Sequence, residues 1–274
     1  MTEMDTRVPT LSIVFMGVSL VMSIAIPLIL FLYFRKRRHC DFQPFFTGCL
    51  VFLLFALVLE AFVHRLVLGS AVGGTIREST LLYALYGGLM AGLFEETGRY
   101  LAFSTVLKKY RGNDENALMY GAGHGGFEVL IVLGLSMVSN LSLAVLINAG
   151  NLDQITGPLS GDTLAQVEAA ISTLTSTAPP VFLAGIVERI FAVAVHLALS
   201  VPVWFAVKKR RPLLYVLAIL LHALLDGFVV ILSGKISIWV LEGCVGLMAL
   251  LTIVIAAAIW KKYARKQEET RAEV

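Results

Sequence analysis

Apolar runs long enough to cross a bilayer recur along this 274-residue chain, and they constrain its fold before any single residue is considered. Inside hydrocarbon every backbone N–H and C=O must be satisfied within the segment, so these runs have to be helices. Apolar residues make up 58% of the chain, which leaves no polar stretch large enough for a separate soluble domain. The expected fold is therefore an all-α, polytopic membrane helix bundle, a single integral membrane domain over 1–274. Its seven transmembrane helices are expected near 11–34, 45–68, 81–107, 117–147, 179–207, 213–233 and 236–260. The first run is too long, and too poor in a small-residue cleavage site, for a removable signal peptide.

Basic residues fix an orientation. Arg35-Lys36-Arg37-Arg38, Lys108-Lys109-Tyr110-Arg111, Lys208-Lys209-Arg210-Arg211 and Lys261-Lys262 with Arg265 and Lys266 fall at alternate junctions. The opposite junctions carry only Arg7, Arg77 and Lys235. The positive-inside rule then places the N-terminus outside and the C-terminus, with a tail over 261–274, in the cytoplasm. Residues 148–178 become an extracytoplasmic loop without Lys or Arg. Leu164, Val167, Ile171 and Leu174 recur there at helical spacing behind a cap at Asp162, as in a helix lying on the membrane surface. Because the basic excess sits in these short junctions, the net charge of +3 reports topology and no nucleic-acid partner is expected. Three cysteines, Cys40, Cys49 and Cys244, suit neither a disulfide framework nor a cysteine zinc site.

Against this apolar background the third run is anomalous, since it holds Glu95, Glu96 and Arg99. A charge at mid-membrane costs roughly 2.5–3.5 kcal/mol on the insertion scale, so such residues face protein or water and have a job. At a rise of about 1.5 Å per residue, Glu95 and Glu96 lie about 16–18 Å from the cytoplasmic end of their span, and on the same count His124 lies at about 10 Å. Glu128 and His196 lie at about 16 Å, His222 at about 13 Å and Asp226 at about 20 Å. Four helices thus bring polar groups to one slab. His124 and Glu128, and His222 and Asp226, are four apart and share a helix face. Arg99 can pair with either glutamate, leaving the other free to act as a general base. Asp226 is placed to orient His222. The histidines either hold zinc, with His124, His196, His222 and Glu128 as ligands, or position water and an oxyanion without a metal, and the spacing leaves both open. Glu60, His64 and Arg65 lie nearer the outer surface and read as packing or snorkelling residues.

Glu95-Glu96-x-x-Arg99, Tyr120-x-x-x-His124 with Glu128, then His196, then His222-x-x-x-Asp226 resemble the three-motif signature of an intramembrane protease clade. That clade includes CAAX prenyl endopeptidases, bacteriocin-processing Abi proteins and PrsW, and Gly-His-Gly-Gly-Phe-Glu looks most like its bacterial YhfC branch. The resemblance implies hydrolysis of a membrane protein or peptide, with Glu95 activating water, Glu96 and Arg99 in support, and His124, His196, His222 and Asp226 around the water. The spacing to Arg99 and the presence of Asp226 depart from the CAAX pattern, so a bacterial plasma-membrane substrate is expected in place of a prenylated one. A divalent-metal or proton transporter, or an inactive scaffold, would also want such groups. The first predicts polar residues continuing towards both faces, and the second does not need Glu95, His124 and His222 intact.

Overall fold

The computed structural model describes residues 7–264, and among them it is helical with no strand. In chain order the helices are α1 (Thr10–Arg37), α2 (Gln43–Leu68), α3 (Ala71–Glu78), α4 (Thr80–Ser104), α5 (Asn116–Asn148), α6 (Leu152–Thr156), α7 (Gly161–Ser176), α8 (Val181–Lys208), α9 (Pro212–Leu232) and α10 (Ile238–Tyr263). Among the described residues six of these, α1, α2, α5, α8, α9 and α10, are long and apolar enough to cross a membrane. The remaining expected span, 81–107, is the 25-residue α4, which ends at Ser104 and differs from the six in carrying Glu95, Glu96 and Arg99 in its second half. Helix α7 falls where the amphipathic pattern placed it, but Ser160 stands at the cap position and Asp162 lies in the first turn. The short α3 was not expected, because its two glycines and two charges carry no helical signal. Of the basic tail, 265–274 lies outside the described residues, as do 1–6 at the other end.

The described residues divide into two compact units. The first comprises 7–25 and 129–189. Within it Asn148 clasps Val8 twice, accepting from Val8 N at 2.8 Å and donating to Val8 O at 3.0 Å. Ser19 Oγ donates to the Phe182 carbonyl at 2.8 Å, and a five-residue π-helical stretch, Leu130–Gly134, interrupts α5.

The second unit, 26–128 and 190–264, holds the polar residues. Its helices approach through small residues, the usual route to close contact when lipid removes the hydrophobic drive between helices. On α4, a Cβ at Gly92 would stand 2.7 Å from the Ile219 carbonyl oxygen of α9, and one at Gly88 would collide with Ala223. The glycine-rich start of α5 is used likewise: Gly123 abuts the Phe45 backbone of α2, and a Cβ at Gly121 would lie 2.8 Å from Leu197 Cα on α8. At the basic end, Asn116 and Asp41 exchange hydrogen bonds at 2.9 and 2.8 Å, while Asp114 Oδ1 accepts from Trp204 Nε1 at 2.8 Å and Lys208 Nζ at 2.5 Å. These clasps and the close crossings fix α4, α5, α8 and α9 relative to one another, and each of them contributes to the polar cluster.

Candidate active site

Glu96 and Arg99 sit one turn apart on α4, both with fully buried side chains, and Arg99 Nη1 donates to both oxygens of Glu96. The choice the spacing left open thus falls on Glu96. The same carboxylate accepts from His222 Nδ1 of α9 at 2.8 Å, so both partners hold it in place and it has little freedom to act as a base. Arg99 also donates from Nη2 to His196 Nδ1 of α8 at 3.2 Å, and its guanidinium lies 5.8 Å from the Tyr120 ring centroid.

Glu95 meets the histidines. His124 Nε2 is 2.8 Å from Glu95 Oε2, His196 Nδ1 is 3.9 Å from the same oxygen and His222 Nε2 is 4.0 Å from it. Imidazoles from α5, α8 and α9 therefore converge on one carboxylate oxygen. The rings also touch one another, with centroids 4.7 Å apart for His124 and His196 and 5.5 Å apart for His196 and His222. Gly125 gives His196 its room: a Cβ there would come within 3.2 Å of the His196 side chain.

The outward hydrogen bonds select tautomers. Arg99 can only donate, so His196 accepts at Nδ1 and carries its proton on Nε2, which lies 2.6 Å from Glu128 Oε2. His222 donates from Nδ1 to Glu96, so in its neutral form the lone pair on Nε2 faces Glu95 and Asp226, whose Oδ2 is 3.5 Å away. All eight residues singled out in the sequence are thus brought into one network. Glu128 and Asp226 enter it through His196 and His222.

The donor set suits a divalent cation. Ligand atoms of Glu95, His124 and His196 all lie within 4.8 Å of one another in buried surroundings, and imidazole with carboxylate is the chemistry of three-ligand catalytic zinc sites. Of the two imidazoles in that group, His196 has its Nε2 2.6 Å from a Glu128 oxygen, the arrangement that orients metal-ligating histidines. His124 is the exception, since its Nδ1 is buried without a partner among the described residues. Sequence spacing had put Glu128 and His222 in the ligand set and Glu95 outside it; the geometry groups Glu95 with His124 and His196.

A second cluster is packed, as expected of Glu60 and His64. Glu60 is buried, with 7% of its surface exposed, and accepts from His64 Nε2 at 3.1 Å, while His64 Nδ1 is 2.9 Å from the Tyr86 hydroxyl of α4. The four-residue spacing of Glu60 and His64 was the available signal, and only the partner on α4 makes the pair a packed network. Arg189, seven residues before His196 in the sequence, pairs with Glu188 at 2.5 Å.

Comparison with known proteins agrees with this arrangement. A family described as YhfC intramembrane metalloprotease matches residues 22–245, which include every residue of the cluster. The chain is also similar to an uncharacterized membrane protein YhfC of Bacillus subtilis (strain 168), 37% identical over 216 residues that cover 78% of this chain and 83% of that protein. No solved structure matches. With its apolar helices and buried Glu–His cluster, this multi-pass membrane protein belongs to the YhfC intramembrane metalloprotease family.

Proposed function

We propose that the protein is an intramembrane endopeptidase of a bacterial plasma membrane, hydrolysing a peptide bond of a membrane protein or peptide at Glu95. The observation that carries this is the convergence of three imidazole nitrogens on Glu95 Oε2 while Glu96 is immobilised by Arg99 and His222. Of the two glutamates only Glu95 is then free to take a proton from water attacking the peptide carbonyl. A divalent cation, for which zinc fits the donor set, would be held by Glu95, His124 and His196, and when bound it supplies Lewis-acid polarisation and a more acidic water. A carboxylate has two oxygens, so Glu95 can hold with one and accept a proton with the other. His222, kept in register by Glu96, presents Nε2 towards Glu95 and Asp226; protonated there, it donates to the developing oxyanion or the leaving amine. Arg99 acts at one remove, orienting His196 and fixing the charge on Glu96.

The topology belongs to the same reading. If α4 crosses the membrane, the basic ends of α1, α8 and α10 and the Lys108-Lys109 junction after α4 all fall on one side, as the positive-inside rule requires. Without that crossing they would be split between both sides. Seven spans with the N-terminus outside follow.

The test is cleavage of a library of single-span peptides by purified protein in liposomes. Glu95→Gln and His222→Ala are expected to abolish cleavage while the variants still insert and fold, and Glu115→Gln, on the basic-end loop, to retain it. Cleavage that survives Glu95→Gln would refute the assignment.

A further inference from the structure

The cluster is closely packed on one side and more exposed on the other. One turn from Glu95 towards Ser104, Arg99 is fully buried, and beyond it Phe103 packs its ring 4.7 Å from Tyr120 and 5.0 Å from Trp204, all three fully buried. These three rings form a buried aromatic plug between Arg99 and the basic end of the unit. Towards the opposite end, carrying Leu68, Thr80 and Leu232, polarity continues.

The helix register locates this second side. Residue numbers rise along α2 as they fall along α4, with Val51 and Phe55 against Gly98 and His64 against Tyr86, so the pair is antiparallel. Interpolating at about 1.5 Å per residue puts Glu60 about one turn beyond Glu95. The α4–α9 contacts, Gly92 with Ile219 and Gly88 with Ala223, likewise put Asp226 about two turns beyond it. Glu60 is within electrostatic reach of Glu95, His222 and Asp226. Side-chain exposure is 0% at His124, 10% at Glu95 and 9% at Glu60, and reaches 35% at Asp226 and 31% at His64. An ionisable group left open to hydrocarbon at this depth is costly, so this exposure is to water.

We propose that water and the scissile peptide reach Glu95 from the extracytoplasmic end, past Asp226 and Glu60, and that Glu60, His64 and Tyr86 line the polar side of that approach. The inference rests on the protease reading for its substrate and on the orientation for the word extracytoplasmic. It implies that the cut falls in the outer half of the substrate's span. A route through the plug would need Arg99, Phe103 and Trp204 to part, breaking the contacts that position His196.

The route can be read without any cleavage. In vesicles of known sidedness, the full chain bearing Glu60→Cys, His64→Cys or Ala102→Cys is treated with a charged, membrane-impermeant thiosulfonate. Modification is read by mass spectrometry at the substituted position, so the native cysteines stay. Positions 60 and 64 are expected to react at least about tenfold faster from the extracytoplasmic side than from the cytoplasmic side, and position 102, inside the plug, to resist from both. His64→Cys, at the more exposed position, serves if Glu60→Cys fails to fold. Faster reaction at 60 and 64 from the cytoplasmic side, or none from either side, overturns the proposal. Extracytoplasmic labelling in a protein that cleaves nothing would support the route and remove the protease reading. Cleavage with cytoplasmic labelling would do the reverse.

Discussion

Removing one member of the Glu96–Arg99 pair tests whether the pair is the scaffold of the site. Both side chains are completely buried, and each oxygen of Glu96 is engaged by Arg99, with His222 as a further donor. Arg99→Met leaves Glu96 charged and stripped of its main counter-ion, and Glu96→Gln does the converse to Arg99. Breaking a buried pair from one side costs about 3–5 kcal/mol, whereas replacing both members with neutral side chains of similar volume is near neutral. Each single variant is therefore expected to lose about 3–5 kcal/mol, and the Glu96→Gln/Arg99→Met double variant no more than about 2 kcal/mol, against about 6–10 for the sum. At about 2–4 °C per kcal/mol the single losses are about 6–20 °C in detergent-micelle thermal unfolding followed by intrinsic fluorescence. Arg99→Met also removes the donor to His196 Nδ1, so the preference of that ring for carrying its proton on Nε2 is lost in the double variant as in the single. A double variant as unstable as the sum, or singles within about 1 kcal/mol of the parent, would refute the reasoning.

Other outcomes follow from single contacts. Gly92→Leu places a side chain against the Ile219 carbonyl and should cost about 1–3 kcal/mol by forcing α4 and α9 apart, measured by the same unfolding assay; an unchanged midpoint would contradict the close crossing. Asp114→Ala strips partners from Trp204 Nε1 and Lys208 Nζ and is expected to lose about 1–3 kcal/mol, with Asp114→Asn recovering part through the Trp204 bond. The Cys40 thiol, between α1 and α2, is pushed up to about 12, mainly by burial and then by Glu115. Below that pH it stays protonated, so at pH 8 only about one thiol in ten thousand is thiolate and reaction with an aromatic disulfide should be far slower than for a free thiol. Free-thiol rates at Cys40 in folded protein would contradict its placement.

Much of the site could be read from the sequence because the membrane makes charge conspicuous. Glu95, Glu96 and Arg99 stood out in an apolar run, and the count of residues from each span end brought His124, His196 and His222 to the same level. What the sequence could not supply were contacts between residues far apart in the chain, such as His222 with Glu96 or Arg99 with His196, since helical spacing fixes a face and a depth but not which neighbour that face meets. The pairing of Arg99 with Glu96 stayed open for that reason, as did the place of Glu95 in the donor set. Glu60 was expected to pack or snorkel and it packs, but its bond to His64, and through His64 the link to Tyr86 across the helix interface, could not be read from depth. The π-helical stretches Phe52–Glu60 and Leu130–Gly134 left no trace either: apart from Glu60 at the end of the first, their residues are apolar or glycine and mark no change of period. The ends of the expected runs fall within a few residues of the helix ends, because basic and polar residues punctuate them.

The central claim is that Glu95, His124 and His196 hold a cation for hydrolysis, and its most direct test is elemental mass spectrometry of the detergent-purified protein. The parent is expected to carry close to one divalent ion, zinc by its donor set, per chain. His124→Ala and His196→Ala should lose it, while Glu115→Gln keeps it. An ion retained in both histidine variants, or a metal-free parent that cleaves peptides undiminished by chelator, would contradict the claim.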